Sequence, residues 1–315
     1  MTIDAALLRY YQQVAQAFPL PALDDDARAV RDRFSKIARA YAGPSDADVT
    51  TEDIEIPLEG RSVNARIYKP AGTTGPLPLL VYFHGGGWVV GDLETHHGLV
   101  ARLARDAQCA VASVDYRLAP EFPFPAPCAD ALDALIWLAE HRSRLGFATD
   151  RLAVGGDSAG AHLAVVAARG ANHQVAGIVD LQVLLYPVMR QQFDSPSCVA
   201  NANGPGLTNE EMRWYWARFF AAGVPDSDDA RAFPLAEPCE RAPAPALIVA
   251  AAYDPLYDDA YALKSFLEAN GGRAEMIDAR DMTHGFARLH AHSEAALAWL
   301  RKIGVRTGEL LRAGR

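Results

Sequence analysis

The chain has 315 residues, half of them hydrophobic and 22% charged, with a formal net charge of −9 at pH 7. That length can bury a large core, and the acidic balance argues against a nucleic-acid partner or an anionic membrane surface. Cys109, Cys128, Cys198 and Cys239 are widely spaced and form no Cys-x-x-Cys, which suits free thiols in a reducing compartment better than a disulfide framework. No apolar run reaches the roughly 18–20 residues of a membrane span. Asp4 and Arg9 interrupt the N-terminal apolar residues where a signal peptide would keep an unbroken core. The expected location is cytoplasmic.

Residues 1 to about 45 read as two amphipathic helices. Ala6, Leu7, Tyr10, Tyr11, Val14 and Phe18 fall near helical spacing and are stopped by Pro19 and Pro21. Ala27, Val30, Phe34, Ile37 and Tyr41 repeat the pattern up to Gly43-Pro44. Two helices ahead of any strand lie outside the repeating unit of a sheet, so residues 1–50 are expected to cap or brace the body. An alternating hairpin follows, 51–56 and 63–68, turning through Leu58-Glu59-Gly60-Arg61. Leu79-Leu80-Val81-Tyr82-Phe83 is continuously apolar, the mark of a strand buried on both faces, and it runs into His84-Gly85-Gly86-Gly87-Trp88. A helix is predicted over 97–107 and a second buried strand over 109–116. Pro120, Pro123, Pro125 and Pro127 then enforce an extended loop before a helix through Ala131, Leu135, Trp137 and Leu138.

The strand at 151–155 leads into Gly156-Asp157-Ser158-Ala159-Gly160 and a helix of small residues. Further strands at 181–186, 246–250 and 274–277 alternate with helices centred near 265 and 297, which predicts a parallel sheet covered on both faces. The alternation fails between 188 and 243. That interval carries an Asn- and Gly-rich loop, 201–206, and an aromatic helix with Met212, Trp214, Tyr215, Trp216, Phe219 and Phe220. An insertion at the C-terminal end of the strands lies over whatever those ends carry. Residues 189–225 are therefore expected to be an inserted cap segment, and 51–188 with 226–315 the catalytic body.

Gly156-x-Ser158-x-Gly160, placed between a strand and a helix, is the pattern of a nucleophile elbow. The serine backbone is pushed into a strained corner, and side chains two before and two after it would collide there. A serine hydroxyl needs a base, and the base needs a carboxylate to orient it. In a parallel sheet both belong on loops leaving the C-terminal ends of later strands. Asp254 follows the strand ending at Ala250, and His284 follows the last strand. The order Ser158, Asp254, His284 is that of hydrolases built on such a sheet and differs from the chymotrypsin and subtilisin orders.

The other histidines and acids fit less well. His162 lies one helical turn past Ser158 and reads as packing, His84 as an anchor of the glycine run, and His141 and His173 as solvated residues in connections. His96-His97 and His290-x-His292 lack a strong ligand pattern, so no metal and no cofactor is expected. Asp258 and Asp259, one turn past Asp254, are its rivals. An acyl-transfer intermediate carries an oxyanion, for which the amides of Gly85, Gly86 and Ala159 are the expected donors. Trp88, beside the glycine run, and Trp214, with its neighbours Tyr215 and Trp216, are expected to line the substrate pocket.

These motifs, with Asp115-Tyr116-Arg117-Leu118-Ala119-Pro120-Glu121, Asp254-Pro255-Leu256 and His284-Gly285-Phe286, stand in one order over about residues 50–300. Together they resemble a bacterial member of the hormone-sensitive lipase family of α/β-hydrolases, in its Gly-Asp-Ser-Ala-Gly branch. The resemblance implies an α/β fold with an eight-stranded, mostly parallel sheet flanked by helices and a helical cap. It implies a serine carboxylesterase acting on a small-molecule ester of short to medium acyl length, and a homodimer by analogy. Ala161 departs from it, standing where the family often has another glycine. Two further readings stay open: an amidase or acyltransferase using the same triad, and a binding protein of the kind the plant gibberellin receptors represent. The receptors have lost the histidine that this chain keeps at His284.

Overall fold

The computed structural model describes residues 2–18, 26–43 and 48–313; the helix stops expected at Pro19, Pro21 and Pro44 lie outside these. Asp4 starts the first helix, α1 (Ala5–Ala17), by accepting the amides of Ala6 and Leu7 at 3.1 and 3.0 Å, which satisfies two N–H groups that have no intrahelical partner. Asp26 caps α2 (Ala27–Ala40) by accepting one amide, that of Arg28, at 3.3 Å. The hairpin is β1 (Val49–Leu58) and β2 (Arg61–Pro70), with Gly60 at φ +72° in the turn. Then come β3 (Leu77–Phe83), α3 (His97–Ala107), β4 (Ala110–Asp115), α4 (Ala126–His141), β5 (Phe147–Asp157), α5 (Ala159–Gln174) and β6 (Leu181–Leu185). The interval that breaks the alternation holds α6 (Pro196–Ala200) and α7 (Asn209–Phe219). β7 (Ala246–Tyr253), α8 (Tyr257–Ala269), β8 (Ala274–Thr283), a short 3-10 helix (Phe286–Leu289) and α9 (Glu294–Ala313) complete the chain.

The eight strands form one sheet in the order β1-β2-β4-β3-β5-β6-β7-β8. β2 runs antiparallel to both its neighbours and every later pairing is parallel. Side chains alternate across the sheet, as period-two geometry requires. Leu79, Val81 and Phe83 of β3 face a core built with α4, α5, α7 and α8, whereas Leu80 and Tyr82 face one built with α1, α3 and α9. Both faces are covered, so the central strands read as unbroken apolar runs.

Two elements are longer than their apolar runs. β8 continues to Thr283 through Asp278, Arg280 and Asp281, because an edge strand tolerates charge on its exposed side. The proline-rich loop ends sooner than expected. Pro125 caps α4 and Pro127 sits inside its first turn, where a missing N–H costs no hydrogen bond. His173 likewise lies in the last turn of α5 rather than in a connection, and its ring pairs with Glu240 at 3.1 Å. All four cysteines are free. Among the described residues no helix is long and apolar enough to cross a membrane.

Candidate active site

After β3 the chain pairs β4 on one side and then crosses to place β5 on the other. The loops leaving β3 and β5 therefore diverge at a switch point of the sheet, where a crevice opens at the strands' C-terminal ends. The glycine run follows β3, and Ser158 follows β5. Ser158 has φ +55° and ψ −118°, a conformation that L-residues adopt rarely and at a cost. The flanking glycines make the corner passable. A Cβ on Gly160 would run into the Phe83 carbonyl oxygen, and one on Gly156 would lie 2.5 Å from that same oxygen. The corner is tied down by the Ser158 amide, which donates to the Leu185 carbonyl of the next strand at 2.9 Å.

His284 leaves the end of β8 and spans two partners. Its Nδ1 lies 2.7 Å from Asp254 Oδ2 and its Nε2 lies 2.9 Å from Ser158 Oγ. A carboxylate only accepts, so the ring proton sits on Nδ1 and Nε2 is free to accept from the serine hydroxyl. Asp254 is fully buried after β7, and its other oxygen accepts the Leu256 amide at 2.8 Å. The rival acids are committed elsewhere. Asp258 accepts the Ser197 amide at 2.8 Å. Asp259 accepts the amides of Met189 and Arg190 and the Arg190 guanidinium.

The glycine run corrects one expectation. The Gly85 amide donates to Asp157 Oδ1 at 2.9 Å, and the same oxygen accepts the Tyr82 hydroxyl at 2.8 Å. Gly85 is thus a structural brace and its N–H is taken. The amides of Gly86 and Gly87 donate to no described atom, and both residues line a cavity with Ser158. Ala159 opens α5, where an amide has no partner one turn back. The signal for this was the acid inside the elbow itself, a buried Asp157 between strand and nucleophile. Burial opposes its ionisation, yet His96, with Nε2 at 3.5 Å, the Arg288 charge and the Tyr82 hydroxyl together hold its carboxyl below the usual range.

The histidines of the floor are structural. His84 Nδ1 donates to the Gly85 carbonyl at 2.8 Å, and its ring stacks on Tyr116 with centroids 4.4 Å apart. Burial pushes the His84 ring down to about 4, so it stays neutral. His162 is buried below the corner with Nε2 3.2 Å from the Ala232 carbonyl, and burial depresses it likewise to about 4.

The cavity above Ser158 is small, with about 80 Å³ of room for solvent-sized guests. Trp88 lines it, fully buried and stacked on Phe219 at 4.2 Å. Trp214 does not. Along α7, Met212, Tyr215 and Trp216 face the cavity, whereas Trp214 points to the other side and packs with Ala27, Val89, Val90 and Ala119. The residues at i, i+3 and i+4 share a helix face and i+2 does not. Phe34 of α2, Val188, Leu207, Leu256 and Arg288 complete much of the wall; none of these was singled out from sequence, because each reaches the site from a different part of the chain. The N-terminal helices also brace the floor. Tyr11 of α1 bonds the Thr283 hydroxyl at 2.8 Å, and Arg31 of α2 donates to the Ala119 carbonyl at 2.6 Å and to that of Val89.

Comparison with known proteins agrees with this fold. Residues 80–288 match the model of a family described as having the alpha/beta hydrolase fold. A carboxylic ester hydrolase of Mycobacterium tuberculosis, LipN, is 39% identical over 85% of this chain and 72% of its own length. An ethyl acetate hydrolase of Pseudomonas putida is 34% identical over 94% of this chain and 95% of its own. Among solved structures, a thermostable esterase from Pseudomonas putida superposes with a TM-score of 0.91 at 28% identity, over 98% of both chains. A hyperthermophilic esterase from Pyrobaculum calidifontis superposes with a TM-score of 0.89 at 34% identity, over 98% of this chain and 99% of that one. On fold, motifs and these relatives, the chain belongs to the α/β-hydrolase family, in its hormone-sensitive lipase branch of carboxylic ester hydrolases.

Proposed function

We propose that this chain hydrolyses esters of short acyl groups through a covalent acyl-enzyme on Ser158. The observation that carries the reading is the His284 ring, which spans Ser158 Oγ at 2.9 Å and Asp254 Oδ2 at 2.7 Å beneath a small cavity. Ser158 Oγ attacks the ester carbonyl while His284 Nε2 takes its proton. Asp254 holds the ring in the required tautomer and stabilises the imidazolium. The carbonyl oxygen becomes an oxyanion facing the amides of Gly86, Gly87 and Ala159, whose positions cost no reorganisation as charge develops. Collapse breaks the ester C–O bond, and His284 gives its proton to the leaving alkoxide. Water then attacks the acyl carbonyl by the same route and releases the acid and free Ser158.

The relatives are named as ester hydrolases, which supports an ester over an amide or an acyl acceptor other than water. The small cavity supports short acyl chains over long ones. The segment 189–225 with α1 and α2 forms the cap in this reading, since Phe34, Tyr215 and Trp216 roof the cavity. The test uses p-nitrophenyl esters of increasing acyl length beside a Ser158→Ala control. Turnover that peaks at short chains and is absent from the control supports the reading. Equal release by both proteins at every length overturns it.

A further inference from the structure

Among the described residues lining this cavity, Arg288 is the one with a permanent positive charge. It sits four residues beyond His284, on the 3-10 helix Phe286–Leu289, so the loop that delivers the base also delivers a fixed positive charge. Its guanidinium lies over the Phe34 ring, 4.6 Å from the centroid. Among the described residues it makes no hydrogen bond or ion pair.

The acids within reach are already engaged. Asp157, whose carboxylate feels the Arg288 charge, is bonded by Tyr82 and Gly85 and approached by His96. Asp254 is bonded by His284 and the Leu256 amide. Arg288 also borders a neighbouring cavity containing Asp92 and Glu94, but Asp92 accepts the Thr95 amide at 2.7 Å and Glu94 pairs with Arg66 at 2.8 Å. A half-buried guanidinium with five donors is costly to leave unpaired. A face-on aromatic contact offsets part of that cost and leaves the donor edge unused.

We infer that Arg288 is a subsite for an anionic group on the substrate, so that the preferred esters carry a carboxylate in their acyl or alcohol half. The planar fork of Arg fits a carboxylate through two parallel hydrogen bonds, and the small cavity admits a carboxylate more easily than a bulkier oxyanion. The inference rests on the ester-hydrolase reading of Ser158 and deepens it by naming the substrate class.

The test is a binding titration, so its outcome does not depend on turnover. The Ser158→Ala protein is titrated calorimetrically with two matched pairs: monoethyl succinate against ethyl valerate, and 3-acetoxypropionate against butyl acetate. In at least one pair the anionic ester is expected to bind roughly tenfold or more tightly than its neutral partner, the scale of a charge-assisted hydrogen bond. Arg288→Gln in the same background is expected to remove the difference, and Arg288→Lys to keep part of it as a point charge. Equal binding within both pairs, or a preference that survives Arg288→Gln, overturns the subsite. A loss of affinity shared equally by neutral and anionic esters assigns Arg288 to cap packing on Phe34 and also overturns it. If Arg288→Gln does not fold, Arg288→Lys decides: an undiminished preference sinks the proposal, and a reduced one supports it. Turnover of the neutral esters by the native chain, absent from Ser158→Ala, tests the ester-hydrolase reading separately.

Discussion

The floor and the roof of the site are held by different means. In the floor, where β3 and β5 end, backbone meets backbone. A Cβ on Gly160 would strike the Phe83 carbonyl, and one on Gly86 would strike that of Val90. Nothing in such a contact is free to rotate away. In the roof, side chains meet side chains or reach down to the floor. Tyr215 of α7 lies against Gly87, Phe34 of α2 lies under Arg288, and Arg31 spans to Val89 and Ala119. Rotamers can adjust there. In the proposed reading the floor therefore defines whether the chemistry runs, and the roof defines which molecule it runs on.

Changes to the floor are expected to break this division most severely. Ser158→Ala should lower turnover on the order of 10⁶, by analogy with a serine hydrolase of another fold, while its unfolding midpoint in urea stays near that of the native chain. Gly160→Ala puts a methyl where two carbonyl oxygens already stand. It should cost about 3 kcal/mol or more, since neither oxygen can move without its strand. Urea unfolding followed by circular dichroism measures this, and a cost below about 1 kcal/mol would show that the corner can relax.

Acid should weaken the floor before the roof. Burial holds His84 and His162 neutral, each with its pKa pushed down to about 4, whereas an unfolded histidine titrates near ~6.5. The unfolded chain thus binds more protons between these values. Stability is fully present above about pH 6.5 and is lost as pH falls toward 4, by about 3 kcal/mol for each ring. Asp115, raised to about 6 by burial, works in the opposite sense and returns part of the loss. Urea midpoints at pH 7 and pH 4.5 check the sign. Replacing His162 with Gln should flatten the dependence.

The smallest effect sharpens the comparison. Met212 and Trp214 are two residues apart on α7, yet only Met212 borders the cavity. Met212→Ala should shift the acyl-length optimum towards longer chains by a carbon or two. Trp214→Ala should cost stability through lost packing against Val89 and Val90 and leave the optimum where it was. A shift of the same size in both variants would mean that the roof responds as a unit.

Much of the floor was legible in the chain itself, because its determinants are short in sequence. The elbow needs glycine two places either side of Ser158, and buried parallel strands need unbroken apolar runs. Ser158, Asp254 and His284 each follow directly on the end of a strand, β5, β7 and β8. The elbow and the apolar runs lie within a few residues, and each carries its own physical reason. Three matters were decided only by the tertiary structure. Among the described residues Gly87 rather than Gly85 has a free amide, because a carboxylate 72 positions away takes the Gly85 N–H. Tyr215 rather than Trp214 meets the cavity, because periodicity defines the faces of a helix but docking chooses which one looks inward. Among the described residues the Arg288 guanidinium beside His284 has no ionic partner, because Asp157, Asp254, Asp92 and Glu94 are bonded elsewhere, and a count of charges along the chain does not record who is already bound.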